Sequence, residues 1–309
     1  MTVAQALDRY KADLGTRGGD LDNVSRVRVH LSDTLAGKSV AFLTARDLSR
    51  WRDGLKAKKL APSTVNRTAT VLKAALNLVA DHDEHISNRQ SWKNGLGTIP
   101  DAEKPRNVIL LDDVVRSIIN GANGDSPEFG LLVEIAAVTG ARVSQLRRLR
   151  VDDMQGDRAD ARLMMPTSRK GRGQKKSAHR PVPIPAGLVT RLRPVIDGRP
   201  GDAALLVKPG GAPWGRSDHT RLFKRVAKNA GLDPAEVTIY ALRHSSIVRQ
   251  ILAGVPIRVV AVNHDTGVEM IERNYSRFVG DHSDTLARAA LLDVAPVPPA
   301  DNVVPIKRT

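Results

Sequence analysis

The sequence predicts a mainly α protein of two domains with one small antiparallel sheet. Apolar residues recur every three or four positions through most of the chain, the stripe of an amphipathic helix. Two short runs, 161–166 and 180–184, read instead as strands flanking a basic turn from Arg169 to Lys176. Residues 93–107 are polar, carry Gly95, Gly97, Pro100 and Pro105, and show no apolar period, so they read as a linker. A chain of 309 residues has room for two domains of ordinary size. The expected boundaries are a helical domain at 1–92, the linker at 93–107, a second domain at 108–292 and a disordered tail at 293–309, which has four prolines and no core pattern.

Each element has a local reason. Thr2 with Gln5 has the form of a capping box, and Val3, Ala6, Leu7, Tyr10 and Leu14 follow as a helical stripe. Thr44 with Asp47 repeats the start signal before Leu48, Trp51 and Leu55. Pro62-Ser63-Thr64 opens the clearest helix. Its Val65, Ala69, Leu72, Leu76 and Val79 form one face, while Asn66, Arg67 and Lys73 fall off it and are free to meet a ligand. Gly15 to Asp20 and Ala57 to Ala61 read as loops. Beyond the linker, Val114, Val115, Ile118 and Ile119 mark a helix. Residues 130–138 form an apolar helix ending at Thr139-Gly140, where glycine suits a left-handed cap. A further helix is expected from Arg142 to Arg150. After the strand pair come helices around 217–230, 241–253, 256–262 and 267–278, with a strand-like Val237-Thr238-Ile239 between the first two. No internal repeat is visible.

The net charge is +15 and the pI about 10.4, which favours a polyanionic partner, nucleic acid before anionic membrane. No apolar run reaches about 18 residues and the N-terminus lacks the form of a signal peptide, so a cytoplasmic protein is expected. There is no cysteine, which excludes thiol catalysis and cysteine-ligated metals, and the eight histidines show no metal-binding spacing. No cofactor is expected.

Few side chains are placed to do chemistry. The chain has three tyrosines, and only Tyr275, in Glu-Arg-Asn-Tyr-Ser-Arg, follows a segment crowded with phosphate-binding residue types. A phenol of pKa about 10 is a poor nucleophile until its proton is removed or its anion is stabilised by cations. Arg142, in Thr-Gly-Ala-Arg, ends a rigid element, and a planar guanidinium grips two phosphate oxygens at once. The bland alternative is a surface arginine, since Arg147, Arg148 and Arg150 follow. Arg243, in Tyr240-Ala-Leu-Arg-His244, would complete a two-arginine clamp, or is merely half of a charge pair at a helix start. Lys170, before the tip of the basic turn, can donate a proton to a leaving oxygen; Lys175 and Lys176 compete with it. His264, between helices, reads as structural or catalytic. Arg169, Arg172, Lys175, Lys176 and Arg180 form a basic patch suited to phosphates, and Thr64, Asn66, Arg67 and Lys73 a second one on the N-terminal helix.

Taken in order, TGAR (139–142), a basic hairpin, YALRH (240–244) and ERNY (272–275) resemble the tyrosine recombinase, or phage integrase, family. The stretch from Ala61 to Arg67 resembles the start of a helix in that family's core-binding domain, so the likeness spans about residues 2–290. It implies a helical core-binding domain and an α+β catalytic domain forming a C-shaped clamp on duplex DNA. It also implies site-specific strand exchange of mobile DNA, run by a tetramer, of one chain or with sister recombinases, on two duplexes. The active site it implies is Arg142, Lys170, Tyr240, Arg243, His264 and the nucleophile Tyr275, with neither ATP nor metal.

Three departures stand out. Tyr240 occupies a place usually held by histidine; it can donate a hydrogen bond but cannot serve as an ordinary acid or base. Gln145 stands where the family often has glutamate. The later histidine or tryptophan usually lies nine residues before the nucleophile, which is Thr266, whereas His264 lies eleven before; either can fill the place. The alternatives to a recombinase are a nicking-closing enzyme resembling type IB topoisomerases and a non-catalytic DNA-binding protein on a recombinase fold.

Overall fold

The computed structural model describes residues 1–102, 107–168 and 178–280, with 284, 287, 288, 290 and 291. These fall into two compact units, the first over 1–102 and the second over the described residues from 107 onward.

The first unit is helical: α1 (Val3–Thr16), α2 (Asp22–Val29), α3 (Asp33–Gly37), α4 (Ala45–Ala57), α5 (Pro62–Ala80) and α6 (Arg89–Gly95). Both expected capping boxes form. The Gln5 amide donates to Thr2 Oγ1 at 3.3 Å and the Asp47 amide to Thr44 Oγ1 at 3.2 Å, satisfying donors a helix start leaves unpaired. Pro62 sits in the first turn of α5, where its missing N–H costs nothing. Leu7, Val24, Leu48, Leu72, Leu76 and Trp92 form the core, each contributing roughly 1.5–3 kcal/mol. Helices α2, α3 and α6 are too short to show an apolar period.

Two expectations differ here. The linker over 93–107 starts too early, because residues 93–95 complete α6 and Leu96 is buried in this core. Asn66 is committed rather than free for DNA. Its Nδ2 donates to the Ile99 carbonyl at 2.9 Å and its Oδ1 accepts from the Ile99 amide at 2.8 Å. An amide side chain fits an extended backbone this way, and it fastens the end of the unit to α5. Thr64 and Arg67 are exposed and Lys73 is half-buried.

The second unit begins with α7 (Asp112–Asp125), α8 (Pro127–Thr139) and a short α9 (Val143–Leu146). Helix α8 is buried on almost every side, so its residues are apolar with no polar stripe. It ends at Gly140, whose φ of +60° closes the helix in the left-handed region. The helix expected over 142–150 stops at Leu146. The Arg150 amide is taken by Asp153 Oδ2 at 2.8 Å and the Val151 amide by the Ala203 carbonyl at 3.0 Å, which turns the chain away.

A sheet follows in the order β1 (Met154–Gln155), β2 (Arg162–Pro166), β3 (His179–Pro183), all antiparallel. Leu163 faces Val182, so the two strands expected at 161–166 and 180–184 do pair. Leu163 and Met165 of β2 are buried, as are Arg180 and Val182 of β3, so the period of two puts one arginine on the inner face. After the sheet come α10 (Ala186–Ile196), α11 (Asp218–Asn229), α12 (Tyr240–Leu252), α13 (Ile257–Asn263) and α14 (Val268–Gly280). Residues 237–239 form a turn into α12 and not a strand: the Ala241 amide donates to the Thr238 carbonyl at 2.8 Å. Ile247, Val248, Ile251, Val260, Ala261, Ile271 and Tyr275 pack α12, α13 and α14 together.

Candidate active site

Three arginines from distant parts of the sequence converge on the end of α13. A helix end leaves carbonyls without partners and a partial negative charge. Arg180 Nη1 donates to the carbonyl of Asn263, Arg243 Nη2 to that of His264 at 2.5 Å, and Arg142 Nη1 to that of Asp265 at 3.1 Å. Three successive carbonyls thus hold three guanidiniums.

Each arginine has a second anchor or a shortage of one. Arg142 follows the left-handed turn at Gly140 and starts α9; its amide donates to Gln145 Oε1 at 3.1 Å. Its Nη1 also lies 3.3 Å from Asp265 Oδ2. That carboxylate accepts from the Ser168 amide at 2.7 Å and from Gln145 Nε2 at 3.2 Å, and Gln145 donates to the Pro166 carbonyl at 2.8 Å. Asp265, at a φ of +49°, therefore ties the end of β2, α9 and Arg142 together. An amide is required at 145: a carboxylate there would face Asp265 and leave the Pro166 carbonyl unpaired.

Arg243 is buried on α12, and its Nη1 donates to the Gly140 carbonyl at 2.8 Å. Burial, then the charge of Arg142, lowers its pKa. Arg180 is the least satisfied. Its Nε and Nη2 are buried and donate to no atom among the described residues. Burial pushes its pKa down to about 10, with Asp265 opposing and Arg243 and Arg142 adding, so it stays charged at neutral pH.

Tyr275 lies on α14, 5% exposed, with its hydroxyl 2.5 Å from Nδ1 of His244. Burial pushes the phenol up to about 12 while Arg243 pulls it down. The imidazole, held near 4 mainly by burial and next by Arg243, is neutral at pH 7. Tyr240, by contrast, is 42% exposed at the first turn of α12. Its ring meets the edge of His244 at 5.0 Å between centroids, and the Arg243 guanidinium stands 5.9 Å from its centre.

His264 is placed in the wall of the site rather than at its surface. It is wholly buried, with Nδ1 2.9 Å from the Val260 carbonyl and Nε2 3.0 Å from Ser246 Oγ. Burial holds its pKa near 3, so the ring is neutral, donating from Nδ1 and accepting at Nε2. Both ring nitrogens have partners, which favours the structural reading of His264 over the catalytic one; Thr266, two residues on, is half-buried. Arg169, Lys170, Arg172, Lys175 and Lys176 lie outside the described residues, as does the tail 293–309.

The structure therefore brings together Arg142, Arg243, Tyr240 and Tyr275, adds Arg180 from the basic patch, and adds two groups that sequence reasoning missed. His244 had a visible signal in standing beside Arg243, but its contact with Tyr275 joins two helices 31 residues apart. Asp265 had none beyond standing next to His264.

A model of the phage integrase family matches residues 109–276. Tyrosine recombinase XerA of Pyrococcus furiosus is 25% identical over 257 residues, covering 81% of this chain and 82% of the relative. Tyrosine recombinase XerC of Mycobacterium sp. (strain JLS) is 25% identical over 270 residues, covering 82% and 85%. Among solved structures, the Tn1549 transposon integrase in complex with transposon right end DNA superposes with a TM-score of 0.71 at 21% identity, covering 94% of this chain and 99% of that one. A lambda integrase (75–356) dimer bound to a core site gives 0.65 at 19% identity, covering 87% and 97%.

Proposed function

Because the chain belongs to the phage integrase family, we propose that it is a site-specific DNA recombinase acting through a 3′-phosphotyrosyl intermediate. The observation that carries this reading is the gathering of Arg142, Arg243 and Arg180 at one helix end, with Tyr275 held by the residue next to Arg243. The Tyr275 oxygen attacks a backbone phosphorus and the 5′ oxygen leaves. A 5′-hydroxyl from the partner duplex then attacks the phosphotyrosine, so the bond energy is conserved and no cofactor is consumed.

Arg142 and Arg243 neutralise the non-bridging oxygens as charge develops on them; one such donor is worth about 3–4 kcal/mol in comparable sites. The Nε and Nη2 of Arg180, buried and without a partner among the described residues, suit it to the same phosphate. Tyr240, 42% exposed, donates to a phosphate oxygen, and Lys170 protonates the leaving 5′ oxygen. His264 acts as a buttress, and Thr266 supplies the late donor. The first unit is the core-binding domain, where Thr64, Arg67 and Lys73 face DNA, and the second the catalytic domain, in which Arg169, Arg172, Lys175 and Lys176, between β2 and β3 in sequence, add phosphate contacts. Duplex DNA is the partner, and the working form is a tetramer on two duplexes in the cytoplasm.

A nicked duplex that loses its 5′ fragment after cleavage tests this, since religation is then blocked. Covalent protein–DNA product should accumulate, and intact paired sites should exchange strands. Covalent product with plasmid relaxation but no exchange favours a nicking-closing enzyme, and no covalent product favours a binding protein.

A further inference from the structure

We propose that His244 is the proton acceptor for Tyr275, a catalytic residue that leaves Tyr240 with no proton to carry. The proposal rests on Tyr275 being the nucleophile. The two side chains meet directly, Tyr275 Oη lying 2.5 Å from His244 Nδ1, and both are nearly excluded from solvent, so water does not compete for the phenol proton. The contact is fixed from both sides. Tyr275 packs among Ile247, Val248 and Ile271, while the Tyr240 ring lies edge-on against the imidazole.

A neutral imidazole has one N–H. The phenol, pushed up to about 12, keeps its own proton and donates it, which leaves Nδ1 as the acceptor with its lone pair free. In the reaction the Tyr275 Oη–P bond forms, the P–O5′ bond breaks, and the phenol proton passes to Nδ1. The leaving 5′ oxygen takes its proton from a separate acid, the role assigned above to Lys170. On resealing, the 5′-hydroxyl attacks, the Oη–P bond breaks, and Nδ1 returns its proton to Oη, so the base is regenerated each cycle. A phosphate seated on Arg243 offsets the cation that weakens the imidazole as a base. A phenol oxygen such as that of Tyr240 accepts a hydrogen bond but is far too weak a base to take the proton.

The test compares rates of covalent product formation on the nicked duplex under single turnover. His244→Asn keeps a hydrogen-bond acceptor near the Nδ1 position but cannot take the proton. It should slow the rate by roughly 10²-fold or more with DNA affinity and melting temperature unchanged. His244→Ala should be partly restored by added imidazole. A His244→Asn rate within threefold of the parent chain, or a defect confined to affinity, overturns the proposal. If either variant does not fold, nitrogen NMR of the unaltered, histidine-labelled chain decides: Nδ1 of His244 must be the unprotonated nitrogen, and a proton found on Nδ1 overturns the assignment. Absence of covalent product from the unaltered chain would instead sink the recombinase reading beneath it.

Discussion

At the scale of single residues, Gln145 and the two buried histidines show how tightly the site is specified. Gln145 is completely buried, donating to both the Pro166 carbonyl and Asp265. Gln145→Glu places two carboxylates together and leaves a buried carbonyl unpaired, so stability should fall by about 1–3 kcal/mol. Arg142 should lose its orientation with it. Denaturant unfolding checks the first effect and the rate of covalent product the second; full stability in this variant contradicts the Asp265 linkage.

The histidines give a pH signature. His244 and His264 are pushed from 6.5 to about 4 and about 3, chiefly by burial. Between pH 6.5 and about 4 the unfolded chain takes up protons that the folded chain refuses, so stability is lost as pH falls through that window. Each unit crossed costs up to about 1.4 kcal/mol per histidine. The melting temperature should drop between pH 7 and pH 5; a value that holds or rises contradicts neutral burial.

At the scale of elements, the end of α13 is the organiser. The carbonyls of residues 263–265 take three guanidiniums, and the carbonyl of Gly140 takes one of those a second time. Gly140 is bound by two constraints, a φ of +60° and a His264 ring that would stand 2.5 Å from any added Cβ. Gly140→Ala should therefore cost more than the roughly 1–2 kcal/mol of a left-handed alanine, and should dislodge Arg243. Calorimetry would show the loss; an unchanged melting temperature would mean that His264 yields freely. Little of this was legible in the sequence. Capping boxes, the α8 stop and the strands β2 and β3 were, because each is set by residues close in sequence. The helix end was not, because carbonyls carry no side-chain signature and their partners come from positions 142, 180 and 243.

At the scale of the whole molecule, sequence order did most of the work. Arg142, Arg243 and Tyr275 were singled out by spacing and neighbours, and the structure brings them to one place. His264 stayed open between two roles because a histidine letter does not reveal whether its nitrogens already have partners. Asn66 was misread because lying off an apolar stripe does not exclude a backbone partner such as Ile99. The net charge of +15 makes a further expectation. If about 6–10 phosphates are contacted, affinity for the target duplex should fall roughly 10³–10⁵-fold between 50 and 200 mM salt. A slope worth one or two phosphates would contradict binding by both units.

The central claim is that Tyr275, and not Tyr240, makes the covalent link. Both are phenols, and Tyr240 is the more exposed. Peptide mapping of the trapped protein–DNA product distinguishes them, read beside Tyr275→Phe and Tyr240→Phe. The account predicts DNA on the Tyr275 peptide, no product but intact binding from Tyr275→Phe, and slower but detectable product from Tyr240→Phe. DNA on the Tyr240 peptide, or undiminished product from Tyr275→Phe, would contradict it.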